Sequence, residues 1–542
     1  MTRSNLSTHG NARFLARLAG LAAACLANGV SLAATLPAAP LTFDTTYAAP
    51  TGATSNISAG GDLQAALNNA QLGDTIVLQA GATFTGPFKL PNKTTGTGWI
   101  YVVSSNLASL PAPGHRVGPN DVANMPKIVS LASNNAVTTI NGSHHFRFVG
   151  IEFAPVSGAY VYQVIAIGNS DTSPTTLAHH IVFDRCYVHA APNQNARRGI
   201  EIDGAYVAVL DSYISDFKDG VDNQALWAYN TTGPLKIVDN YLEAAGENVM
   251  FGGADSKAPS LLPADIEIRN NYFFKPLSLL STISTIRVKN LLEFKAAKRV
   301  VVSGNTFENN PAASQAGFAL LITPRNQDGA APWSMTSDIA VTNNSFINVG
   351  SGINIAGVDS YHPNTTPMTA RLLFRNNIIG VTALGGANGR AFQVLSGGTD
   401  YTIDHNTIIN TAAPPVSTTS NLMMAESPAP KASNFTFTNN LSTQTAYGFF
   451  GSGVGEGTAA LNANFTNWIF AKNVIVNARA AAYPAGNFFP TSNTAVFTNY
   501  SGGDYTLAAG SPYKAAGTDG ADIGANLSGA ALPTPPTNFS VK

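Results

Sequence analysis

Lys295 and Glu293 stand two positions apart in NLLEFKAAK, and Arg325 follows 30 residues later in TPRNQDG. An amine that can take a proton, a carboxylate beside it and a guanidinium within reach are the groups needed for β-elimination on a uronic acid. That reaction removes a weakly acidic proton next to a carboxylate, whose charge has to be neutralised. It also needs a base poised near working pH, commonly Lys, Arg, His or Tyr. Glu247 in AAGENVMFGGADS adds a further carboxylate, so Lys295, Arg325, Glu293 and Glu247 form the expected catalytic set. A second chemistry is open to the same chain. Glu201 and Asp203 in RRGIEIDG, with Asp219 and Asp222 in SDFKDGVDNQALWAYN, offer the paired carboxylates of glycoside hydrolysis. The bland reading of Glu293 and Lys295 is a surface salt bridge.

Other residues suit binding. Glu201, Asp203, Asn248 and Gln393 are expected to contact a substrate, and Trp227, Tyr229 and Trp333 offer aromatic faces on which sugar rings stack. The same aromatics would serve equally well to cover exposed core edges. Asp219, Asp222 and Asp255 sit on loops and are the oxygen ligands a calcium ion would take, although no DxDxDG loop or nonapeptide repeat accompanies them. His144, His145, His179, His180 and His189 show no recurring metal-ligand spacing, so zinc is not expected. Cys186 stands alone once Cys25 leaves with a signal segment, and it reads as a small buried residue rather than a thiol nucleophile.

These groups are carried by a repeat. Apolar alternation, then Asn, then one or two apolar residues recur at Asn240, Asn271, Asn305, Asn344, Asn377, Asn406, Asn440 and Asn473. The gaps are 31, 34, 39, 33, 29, 34 and 33 residues, with Cys186 and Ser212 in the same slot upstream. Alternation over about six positions is the period of a half-buried strand. A second short strand usually follows, and no 3.6-period segment is long enough for a crossover helix. Such units stack into a right-handed parallel β-helix with coils about 4.8 Å apart. The Asn residues would then form a ladder. They stand where the strand ends, in a position that suits left-handed backbone. Strand parity turns Glu201, Asp203, Asn248, Met250, Glu293, Lys295, Leu321, Thr323, Arg325, Asn354 and Gln393 outward, as a column along one face. An elongated, shallow, polar face suits a polymer better than an enclosed metabolite.

Both ends carry a resemblance. DLQAALNNA (62–70) followed by GDTIVLQAGATFTG (73–86) is similar to the start of pectate-lyase-like β-helix proteins, where a short amphipathic helix caps the open end. SPYKAAGTDGADIGA (511–525) resembles the closing segment of bacterial members. The resemblance implies the fold over about residues 55–525. It leaves activity open, because the superfamily includes lyases, hydrolases, epimerases, esterases and non-catalytic adhesins. In β-helix lyases related to alginate and chondroitin B lyases, a Lys and an Arg one coil apart act as base and acid, the relation expected of Lys295 and Arg325. The RxPxxR signature of pectate lyases and the NTD, DD and GHG pattern of polygalacturonases are absent.

Charged residues make up only 11% of the 542-residue chain, which has 49 Gly, a composition that suits tight β turns. Arg3, Arg13 and Arg17 precede an apolar stretch ending in Ser-Leu-Ala, so residues 1–33 read as an export signal and the protein as secreted or periplasmic. Removing three Arg moves the net charge from −1 to −4, which leaves no basic field for nucleic acid. Residues 34–58 read as a leader, 59–525 as one β-helix domain and 526–542 as a tail. A monomer without a membrane span is expected. The leading expectation is a lyase acting on an acidic polysaccharide. A hydrolase on the same fold and a non-catalytic polysaccharide-binding or adhesive protein are the alternatives.

Overall fold

The computed structural model describes residues 34–168, 171–412 and 417–526. The expected signal and nearly all of the expected tail lie outside them. Strands of each repeat join three long sheets. The first has 14 strands, from Thr54–Ile57 to Phe465–Ala471, and the second has 13, from Phe88–Leu90 to Gly455–Glu456. The third also has 13, from Thr83–Thr85 to Val474–Ile475. Strands pair in parallel with their counterparts one coil further on, as Val300 pairs with Ile339 and Ile339 with Leu372, except that Gly455–Glu456 closes the second sheet antiparallel to Phe449–Gly451. The molecule is therefore the expected parallel β-helix, all-β apart from short helices, wound in the right-handed sense that parallel crossovers take.

Helix α1, Leu63–Asn69, closes one end. Asp62 caps it by accepting from Ala65 N at 2.9 Å, and Leu63 and Leu67 are buried against the first coil. The solenoid starts earlier than expected, because Thr54–Ile57 is already a strand paired with Thr75–Leu78. Inside, inward-facing residues repeat coil by coil, so like stacks on like. Phe273, Phe307 and Phe346 stack at centroid distances of 4.5 and 4.7 Å. Cys186 is fully buried in this core, and burial pushes its thiol up to about 12.

The Asn ladder is present. Asn305 Oδ1 accepts from the amide N–H and Nδ2 of Asn271, at 2.9 and 3.0 Å, and Asn305 Nδ2 donates to Ile268 O and to Asn344 Oδ1. The same bonds run from Asn240 to Asn473 and finish on Asn487. The left-handed turn falls one residue earlier than expected. From Arg185 to Lys472 the residue before each ladder position has φ between 50° and 72°. That turn is usually Asp or Asn, and is Gly at 304, while the ladder Asn is free to bond along the solenoid axis.

The expected leader is a strap. Thr35 N, Ala38 N and Leu41 N donate to Asp400, Asp338 and Asp265. Further on, Phe43 O accepts from Lys236, Thr45 O from Arg147 and Ala48 O from Tyr101. The three acids alternate with Arg299 and Arg371 in one register line across the first sheet, and both arginines fork onto an acid at 2.6 to 2.7 Å. Three extended residues span about 10 Å, and two coils rise about 9.6 Å, so every third strap amide meets every second coil.

Burial opposes charge on Asp265 and Asp338, but the Arg299 and Arg371 hydrogen bonds outweigh it and hold both below the ordinary carboxylate value. A carboxylate depressed by folding stabilises fully above its unfolded pKa of about 4, and that contribution is lost as pH falls through the lower folded value. Amide exchange at residues 35–41 is therefore expected to accelerate below about pH 4 before the ladder amides do. Equal protection of strap and ladder down to global unfolding would remove this role for the acids.

Candidate active site on the second sheet

One register line of the second sheet reads Glu201, Trp227, Met250, Glu293, Leu321, Asn354, Gln393, one residue per coil. Strand parity placed these correctly on the outer side, since the flanking Ile200, Val249, Leu292 and Leu320 are core. Outward does not mean exposed, however, because long loops cover part of the line.

Lys295 and Arg325 are where the expectation puts them. Arg325 N donates to Lys295 O at 2.8 Å, so the two residues stand on adjacent coils just past the ends of their strands. Lys295 Nζ lies 3.6 Å from Glu293 Oε1, and its side chain is 16% exposed. Burial raises the Glu293 carboxyl against the opposing charge of Lys295, and Asn290 Nδ2 donates to it at 2.9 Å. Arg325 lies flat on Tyr361 at 3.8 Å, and its Nη1 is 3.5 Å from Asp359. Beyond that ion pair Nη1 has no hydrogen-bond partner, and neither has Asn354 Oδ1 on the next coil. Each of the two cations keeps 16% of its side chain exposed on this face.

The remaining expected residues are placed differently. Glu247 is fully buried: Gln224 donates to it at 2.7 Å and Lys289 at 3.0 Å. Arg198 donates to Gln224 in turn, and Lys289 also meets Asp222 at 2.5 Å. Burial disfavours the Lys289 ammonium, but the Glu247 and Asp222 charges more than offset this and raise its pKa. Glu247 thus braces the floor of the site and cannot touch a substrate. Asn248 is also buried, its amide turned back onto Leu242 O, Phe274 O and the Lys275 ammonium. Lys275 donates as well to the carbonyls of Ala244, Ala245 and Gly246. Burial pushes this lysine down to about 7, with Glu247 and Glu243 opposing.

Glu201 and Asp203 form a covered carboxyl pair. Asp203 accepts from Tyr229 N and Asn230 N, Glu201 accepts from Gln163, and burial plus the Glu201 charge raise Asp203 well above its ordinary value. Trp227 is no open platform: Arg198 lies over one face at 3.8 Å, Tyr229 stacks at 4.7 Å and its indole N–H donates to Gly252 O. Trp333 remains half-buried at the margin, donating to Ser256. Gln393 is buried beneath Arg390, which donates to it.

The expected calcium ligands do not converge. Asp219 accepts from Tyr160, Asp222 pairs with Lys289, and Asp255 caps the amides of Gln327, Asp328 and Ala330. Each carboxylate is committed to a protein donor in a different place, so this set does not fit a calcium ion. His144, His145, His179 and His180, scattered in the sequence, are brought together on the first sheet.

Lys289, Asp359 and Tyr361 were missed. A signal for Asp359 and Tyr361 exists, since AGVDSY follows Ile355 at the strand end where TPRN follows Ile322, and Ile322 pairs with Ile355. A pocket of about 650 Å³ lies elsewhere, under the C-terminal segment against Asn343, Arg375, Asn376 and His405.

No protein-family profile matches the chain, and no curated protein does. Solved structures do. An alginate lyase of polysaccharide lyase family 6 matches at 14% identity and a TM-score of 0.47, over 80% of this chain and 53% of that one. This chain thus spans about half the length of that enzyme. The catalytic unit of an α-1,3-glucanase from Streptomyces thermodiastaticus matches at 12% identity and a TM-score of 0.47, over 84% of this chain and 72% of that one. The pectate lyase Pel9A matches at 13% identity and a TM-score of 0.31, over 88% and 96%. Among the described residues no helix is long and apolar enough to cross a membrane.

Proposed function

We propose that the protein cleaves an acidic, uronate-containing polysaccharide by β-elimination on the second-sheet face. The observation that carries this reading is the placement of Lys295 and Arg325 on adjacent coils, linked by the 2.8 Å backbone bond, with both side chains partly exposed. Lys295 takes the proton next to the substrate carboxylate, and the Arg325 guanidinium neutralises that carboxylate. The bond to the glycosidic oxygen then breaks, the departing oxygen takes up a proton, and a double bond conjugated with the carboxylate remains. Tyr361, 67% exposed and stacked on Arg325, adds an aromatic edge to this face.

The test is near-ultraviolet absorbance over a panel of acidic polysaccharides, using the chain lacking residues 1–33, with and without a chelator. The conjugated product absorbs there, and a rise is expected. New reducing ends without absorbance would replace elimination by hydrolysis. Polymer retention without shortening would make the protein a binding module.

A further inference from the structure

We propose that His145, His179 and His180, on the outer face of the first sheet, form a binding site for a divalent transition-metal ion of the Zn2+, Cu2+ and Ni2+ class. The proposal is independent of the lyase reading, since its residues lie on a different sheet.

The strands His144–Val149 and His179–Asp184 are neighbours in register, with His144 opposite His179. Strict alternation would send adjacent histidines to opposite faces. Instead the backbone turns left-handed at His145 and His180, with φ of 58° and 56°. Each pair of imidazoles is thereby brought together, with Nδ1 to Nδ1 distances of 2.8 Å in both pairs. Across the coils His144 stacks on His179 at 4.9 Å and His145 on His180 at 4.5 Å, the rings within 4° of parallel. Ligand nitrogens of His145, His179 and His180 all lie within 4.8 Å of one another. Two nitrogens bound to one metal ion stand about 2.9 to 3.4 Å apart, so small ring rotations close the set.

One further feature suits ligation. His144 Nε2 is 2.7 Å from Lys93 O. A carbonyl only accepts, so that nitrogen carries the proton and the bare Nδ1 of His144 faces His145, the arrangement that orients a neighbouring ligand. Imidazole nitrogen suits Zn2+, Cu2+ and Ni2+ rather than Ca2+. The competing account is a purely structural column, because Trp99 meets the edge of His145 and Tyr206 stacks on His180 at 4.4 Å. Stacking alone explains parallel rings but requires no convergence of ring nitrogens.

The test uses the chain lacking residues 1–33, without a polyhistidine tag and stripped by chelator. Calorimetric titration with Zn2+, Cu2+ and Ni2+ is expected to give one ion per chain, with Ca2+ as the control that does not bind there. His145→Asn and His180→Asn should each weaken binding by at least about tenfold, and His144→Asn by about 10- to 100-fold through lost orientation, with metal-free unfolding unchanged. If these variants fold poorly, the electron paramagnetic resonance of the Cu2+-loaded unaltered protein decides, through splittings from imidazole nitrogen. No binding above the Ca2+ control, undiminished binding in the His145→Asn/His180→Asn double variant, or a Cu2+ spectrum without nitrogen splittings would each overturn the site.

Discussion

Lys295→Ala is expected to lower the rate of unsaturated product formation by about 10² to 10⁴, the contribution of a positioned general base. The thermal unfolding of the protein should hardly change. Lys295 lies past the end of its strand, and the ion pair to Glu293 is long, at 3.6 Å. Its removal also relieves Glu293 of the neighbour that opposes its burial-raised pKa, so that carboxyl becomes easier to hold neutral. Arg325→Ala should lower the same rate, with the loss appearing in kcat/KM because the substrate carboxylate is left uncompensated. Steady-state absorbance kinetics with a denaturation control separate these effects from misfolding. Full turnover by Lys295→Ala would remove the assignment even if the reaction proved to be elimination.

Asn305→Leu should cost roughly 3–6 kcal/mol, since each buried polar group left without its partner costs about 1–3 kcal/mol. The substitution removes the acceptor of two bonds from Asn271 and the donor of two bonds, to Ile268 O and Asn344 Oδ1. Asn271 N–H then has no other partner, whereas its Nδ2 keeps the bond to Ile237 O. Because each coil contacts mainly its neighbours, the loss should also lower the cooperativity of unfolding around that coil. Asn487→Leu is the comparison: it ends the ladder and is only half-buried, so a smaller loss is expected. Denaturant titration of both variants measures the difference. A cost below about 1 kcal/mol at Asn305 would mean that the ladder is not a principal support.

The ladder was legible because its eight sequence-spaced Asn residues obey a period. Asn487 was not, since it follows Asn473 by 14 residues and joins the ladder from a loop. Parity named the outward side of the second sheet, and it put Lys295 and Arg325 on neighbouring coils. It could not say which outward groups reach solvent. Asn248, Glu201 and Trp227 pass the parity rule and are nevertheless buried, whereas Glu247, two residues before the core Val249, falls on the inward side by the same rule. Strap contacts such as Leu41 to Asp265 join residues 224 positions apart, which no local pattern announces.

The sequence by itself thus determined the repeat, the solenoid, the capping helix and the face on which Lys295 stands. All of these follow from periodicity, which is a local property of the chain. Only the tertiary structure decided which carboxylates are free, that Asp219, Asp222 and Asp255 are each held by separate donors, and that histidines 35 residues apart meet in one cluster. The physical reason is that stacking converts separation along the chain into a rise of one coil. The length of the intervening loop, and not the spacing of the residues, then sets which side chains meet.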